Sequence, residues 1–193
     1  MPVTRSTSVS AVLIANAGSQ DPVIDGIEAK VDASESAALA FSYTLIGDIH
    51  RLLIPVAAAP MQVDGLWRHT CFEAFIGMKG SAAYYEFNFS PSSEWAVYSF
   101  RSYRDGEPVD DERLSPEIVV RRETGKIELD AVVHLDRLAA IQPGARLRLG
   151  LSAVIEDNDG KVSYWALKHP ADKPDFHHPD SFALELALPE RSA

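Results

Sequence analysis

One cysteine, Cys71, is the only thiol in 193 residues. A lone thiol excludes an internal disulfide framework and a cysteine-rich metal site, and its place inside an apolar run reads as inert. Long apolar runs are missing as well: no stretch reaches the ~20 residues of a bilayer-crossing helix. Basic residues are scarce, 18 against 28 acidic ones, and the net charge of -10 argues against a nucleic-acid surface or an anionic membrane as the main partner. No internal repeat and no low-complexity linker interrupts the chain, so 1–193 reads as one domain. Metal ligands lack useful spacing. Asp157-Asn158-Asp159-Gly160 has no downstream calcium-loop ligands, and the adjacent His177 and His178 would point apart on an extended chain. No metal site is expected.

What is present is a large apolar fraction, 46%, cut into short runs by turn residues. The aromatic stretch Leu66–Tyr103 organises the rest. It holds three strand-like runs, Thr70–Ile76, Ala83–Phe89 and Glu94–Arg101, separated by Gly77–Ser81 and Ser90–Ser93. Neither gap accommodates a parallel crossover, so an antiparallel meander is predicted. Further strands are predicted over Val9–Ala15, Ile24–Ala33, Ala37–Ile46, His50–Val56, Glu117–Arg122, Lys126–His134, Arg146–Ile155, Lys161–Leu167 and Ser181–Leu188. Helix is confined to one or two turns over Leu135–Ile141, before Pro143. Arg104–Pro116 and His169–Pro179 read as surface loops. Many short strands and little helix give an all-β, antiparallel, jelly-roll-like sandwich.

The amino-terminal series Arg5, Val12-Leu13-Ile14 and Ala15-Asn16-Ala17 mimics a secretion signal, but Ser8, Ser10 and Asn16 thin its apolar part. A first strand is the expectation, and with it a cytoplasmic protein.

Alternation points to a site. Pairing Phe72 with Phe87 sets Glu73 opposite Glu86, and a tight Ser-Pro-Ser-Ser turn sets Trp95 opposite Asn88. One face would then carry Glu73, Glu86, Asn88 and Trp95. Opposed carboxylates repel, so an arginine (Arg68, Arg101 or Arg104), a metal, a proton or ligand hydroxyls must compensate. The ordinary alternative is a pair of exposed carboxylates on a solvated face.

The blocks LWRHTCFEAFIG, YYEFNFSPSSEWAVYSF and YWALKHPADKPDFHHPDSF resemble the DOMON-like group, whose nearest fold relatives are family-nine carbohydrate-binding modules. The likeness runs from about Tyr43 to Leu186. It implies a jelly-roll-like sandwich with a ligand site on a concave sheet; members of the wider group bind sugars or haem. Saccharide binding needs flat aromatic rings and planar polar groups. Trp67, Trp95 and Trp165 are the ring candidates, each able to serve as core instead, with Arg68, Glu73, Glu86, Asn88 and Arg104 as polar candidates. Tyr84 and Tyr103 would rim the same surface. The loop His169–Pro179 is expected to fold over it as a lid anchored by Phe176, turning Asp175 or His177 inward. The resemblance also keeps open haem held by Met61 and His169 in an electron-transfer role. A glycosidase pair would flank its substrate, separated by about 5–5.5 Å in retaining enzymes; two neighbouring strand residues lie on one side of it. The expectation is therefore binding of a small polar ligand, a saccharide or a sugar-derived metabolite, without its conversion.

Overall fold

The structure, a computed structural model, describes residues 7–34, 37–138, 141, 144–170 and 173–189; Arg5 and Pro143 of the sequence reading lie outside them. Twelve strands are described: β1 Thr7–Ala15, β2 Ile24–Ala33, β3 Ala38–Gly47, β4 Cys71–Met78, β5 Tyr84–Phe89, β6 Trp95–Ser102, β7 Asp105–Pro108, β8 Glu117–Glu123, β9 Lys126–His134, β10 Arg146–Glu156, β11 Val162–Ala166 and β12 Leu184–Ala187. Every strand pairing among them is antiparallel. One sheet runs β1-β2-β3-β9-β8, and the other runs β7-β6-β5-β4-β10-β11 with β12 beside the first half of β10. Strand β1 links the two, pairing with β2 along Thr7–Leu13 and with β11 through Ile14 and Ala15.

Period-two alternation builds the first sheet. Leu39, Phe41, Tyr43 and Leu45 of β3 face inward with Ile27 and Val31 of β2 and Ile127 and Leu129 of β9. Against them pack Phe72, Phe87, Phe89 and Leu149 from the second sheet. Ring pairs cross the interior: Tyr43 and Phe72 at 5.0 Å, Phe41 and Phe89 at 5.9 Å. The Tyr43 hydroxyl also donates to the Glu73 carbonyl oxygen at 2.7 Å, tying the first sheet to the backbone of β4. The architecture is the expected β-sandwich.

The registers of the aromatic meander differ from expectation in two ways. Glu73 opposes Asn88, and Glu86 opposes Phe75, a slip of two residues that keeps both carboxyls on one face. Either register matches the apolar faces, so the turn decides. Met78 accepts from Ser81 N–H at 3.1 Å across Gly80, which takes φ 85 without a Cβ penalty. The second slip is by one residue and reverses a side chain. Ser90 pairs with Glu94 around a three-residue loop in which Ser93 has φ 78. Trp95 therefore opposes Phe89 and points into the core, 2% exposed, while Ala96 opposes Asn88. Trp165 is likewise a core residue, with its indole N–H donating to Ser163 Oγ at 3.1 Å.

Three local expectations also change. His50–Val56 is no strand: Ile49–Arg51 forms a 3₁₀ turn, and beyond it only Leu52 bridges, to Asp157. The loop Arg104–Pro116 contains β7, which pairs with β6. The helical turn after β9 is the 3₁₀ segment Leu135–Arg137, and residues 139 and 140 lie outside the described set.

If Trp95 fills the core, Trp95→Ala should cost about 3–5 kcal/mol in urea unfolding. Trp67→Ala, at a site 46% exposed, should cost no more than about 1 kcal/mol. Equal losses would contradict the one-residue slip.

Candidate functional site

The outer face of the second sheet is not solvated. All of Cys71–Gly77 and most of Tyr84–Phe89 are buried on both faces. Three segments cover this face and leave a cavity of about 530 Å³. The first is the 3₁₀ turn Leu66–Arg68, which brings Trp67 and Arg68 to the wall, with the guanidinium 5.1 Å from the indole ring. The second is the two-residue turn Tyr103-Arg104 between β6 and β7. Arg104 sits there at φ 55, a left-handed conformation that costs a non-glycine residue about 1–2 kcal/mol. The third is the segment 173–182, which contributes Pro174, Phe176 and His177.

The second and third segments clamp each other. Arg104 Nη2 donates to Asp175 Oδ1 at 2.8 Å, and the Tyr103 hydroxyl donates to Asp175 Oδ2 at 2.6 Å. Burial pushes the Asp175 carboxyl up, but these two donors and the Arg104 charge outweigh it and leave it below its ordinary value. Ser181 Oγ donates to the Asp175 carbonyl at 3.0 Å. The Phe182 ring packs edge-on to Phe75 and Tyr84, with the Arg148 guanidinium 4.3 Å from its centre. Phe182 is thus the stronger anchor of the segment; Phe176 lines the cavity beside Tyr164 at 6.2 Å.

The cavity floor is a buried polar network. Glu73, on β4, accepts from Ser152 Oγ at 3.0 Å. Burial, then the charge of Glu86, holds the Glu73 carboxyl well above the ordinary carboxylate range. Glu86 Oε1 accepts from Asn88 Nδ2 at 2.7 Å, and Asn88 Oδ1 accepts from the Cys71 thiol at 3.4 Å. Burial pushes the Glu86 carboxyl to about 7, against the opposing effects of the Asn88 bond and the Arg104 charge. Cys71 is raised by burial and then by the two carboxyls, which makes it an inert thiol. His177 Nε2 lies 3.6 Å from Glu86 Oε2, and its Nδ1 is 2.9 Å from the Tyr84 hydroxyl. Burial, with Arg104 adding to it, lowers the imidazole to about 4. The His177–Glu86 contact is therefore not an ion pair at neutral pH, although its distance would permit one. Arg104 is the cation acting on Glu86; Arg101, the other candidate on this hairpin, is paired with Asp105 at 2.9 Å.

Of the residues singled out in the sequence, Trp67, Arg68, Glu73, Glu86, Arg104 and His177 line the cavity. Tyr84, Asn88 and Asp175 stand behind them as hydrogen-bond partners. Trp95 and Trp165 are core residues. Sequence reasoning missed Tyr98, Phe100, Val154 and Tyr164. With the three-residue loop in place, plain alternation puts Tyr98 and Phe100 on the Glu86 face, so the missing signal was the turn type. Met61 and His169 do not line the cavity. Met61 is 54% exposed, and His169 Nε2 is engaged with the Ile14 carbonyl at 2.8 Å. This pair does not fit axial ligation of haem.

No protein-family model and no curated protein sequence matches the chain. Solved structures do. A proposed carbohydrate-binding protein from Bacteroides uniformis matches with a TM-score of 0.64 at 12% identity, over 96% of this chain and 86% of that one. A family-nine carbohydrate-binding module from Caldicellulosiruptor kristjanssonii, solved with cellotriose, matches with a TM-score of 0.50 at 12% identity, over 93% and 84%. At such identities the likeness is one of fold.

The floor sets a pH dependence. The Glu86 carboxyl is raised from 4.5 to about 7, so its contribution to stability is complete below 4.5 and lost as pH rises through about 7. Glu73 is shifted in the same direction. His177 opposes both: lowered from 6.5 to about 4, its contribution is present above 6.5 and lost as pH falls through about 4. Glu86→Gln removes one of these titrations. The variant should gain on the wild type by about 2 kcal/mol between pH ~5 and ~8 in urea melts. A difference independent of pH would show that Glu86 titrates normally.

Proposed function

We propose that the protein binds a small saccharide, or a sugar-derived metabolite, in the cavity over the outer face of its second sheet. One observation carries this reading: buried carboxyls, a guanidinium and an imidazole converge on one cavity between aromatic rings. Hydroxyl-rich ligands need both parts. Rings such as Trp67 and Tyr164 can cover the C–H faces of a pyranose, while Glu86, Arg104 and His177 offer acceptors and donors to its hydroxyls. The volume of about 530 Å³ falls in the range of ordinary small-molecule sites, about 300–1,000 Å³. The fold shared with the carbohydrate-binding structures supports the same reading at the level of architecture.

A thermal-shift panel of neutral monosaccharides and short oligosaccharides, followed by calorimetry, tests it. A binder at 100 times its Kd should stabilise the fold by about 2.7 kcal/mol. Trp67→Ala and Glu86→Gln should each weaken that ligand at least about tenfold, the scale of one lost ring contact or one charge-assisted hydrogen bond. A panel in which no saccharide shifts the melt would overturn the reading.

A further inference from the structure

We propose that the cavity also accelerates anomer exchange of a bound reducing aldose, with Glu86 and His177 as the proton-transfer pair. This rests on the saccharide reading and goes beyond it, from binding to chemistry. Glu86 Oε2 and His177 Nε2 are 3.6 Å apart, too far for a good hydrogen bond with each other. The other polar atom of each is already held, Glu86 Oε1 by Asn88 at 2.7 Å and His177 Nδ1 by Tyr84 at 2.9 Å. Oε2 and Nε2 are thus the atoms the pair can offer to a ligand, and both side chains line the cavity.

The hemiacetal of a pyranose presents a matching pair on one carbon: the ring oxygen accepts a proton and the anomeric hydroxyl gives one. In ring opening, the Glu86 carboxylic acid protonates the ring oxygen as its bond to C1 breaks. His177 Nε2 takes the proton of the anomeric hydroxyl as C1=O forms. The products are the open-chain aldehyde, a carboxylate and an imidazolium of opposite charge side by side. Rotation about C1–C2 and the reverse transfers close the ring on the other face and restore both groups, so no oxidant, reductant or cofactor is consumed.

Tyr84 is a positioning residue. Its hydroxyl accepts from the Arg104 backbone N–H at 3.3 Å and lies 2.9 Å from His177 Nδ1; the step uses the tautomer in which Nδ1 carries the proton and donates to this hydroxyl, leaving Nε2 free. T-shaped contacts with Phe75 and Phe100, ring centres 5.2 and 4.9 Å away, fix the plane of the imidazole. A carboxyl near 7 beside a neutral imidazole also distributes the protons as this chemistry requires.

Exchange-spectroscopy NMR on glucose, galactose, xylose and N-acetylglucosamine, in buffer free of imidazole, measures the interconversion of anomers directly. For whichever aldose raises the melting temperature, exchange should be about a hundredfold faster per site than with Glu86→Gln at equal saturation. A saturating methyl glycoside of the same sugar should suppress it. Tyr84→Phe should lower the maximal rate while leaving half-saturation unchanged. An aldose that binds wild-type protein but exchanges no faster than in buffer, or whose exchange survives the methyl glycoside, overturns the inference and leaves the binding reading intact. Failure of every saccharide to bind overturns both. The wild-type measurements decide the matter even if Glu86→Gln does not fold.

Discussion

The site depends on desolvation of one sheet on both faces. Strands β4 and β5 have the apolar core beneath them and loop segments above them, so Glu73 and Glu86 are carboxyls taken out of water. A buried carboxylate without a close cation is costly, and such a group responds by keeping its proton. Arg104 does not relieve the pair fully, because its guanidinium is committed to Asp175. The floor of the cavity is therefore a pair of carboxyls whose ionisation is suppressed, with Glu86 raised to about 7, a common property of sites that handle ligands or protons.

The covering segments are held by polar contacts as well as by ring packing. Asp175 gathers Tyr103 and Arg104, His177 reaches Tyr84, and Phe182 closes the end against Phe75. This arrangement keeps Arg104 in a left-handed turn and places neutral His177 beside Glu86. Local strain and suppressed ionisation both count against stability, and in native structures such features cluster at functional sites. Across the sandwich, the Tyr43 hydroxyl grips the Glu73 carbonyl, so the position of the floor is set from the other side of the core as well.

Much of this was legible in the chain. Alternation within each run correctly assigned Glu73 and Glu86 to one face and Phe72 and Phe87 to the other, because successive side chains on a strand must point to opposite sides. The repulsion expected from two nearby carboxyls is present, although the register that suggested direct opposition was two residues off. Trp95 marks where alternation alone stops being informative. A one-residue difference in loop length between Ser90 and Glu94 turned it from candidate ring to core.

By itself, then, the sequence determined the class of fold, the approximate places of its strands and which side chains within a strand share a face, since these follow from local geometry of period two. Only the tertiary structure decided registers, where slips of two residues satisfy the same apolar pattern and a single left-handed residue, Ser93, selects an odd loop. It alone also decided that the Glu73 face is buried, because the turns flanking the meander fold back over it and the segment 173–182 reaches it from a distant part of the chain. Burial of a polar face is a property of what packs upon it, and no strand encodes that alone.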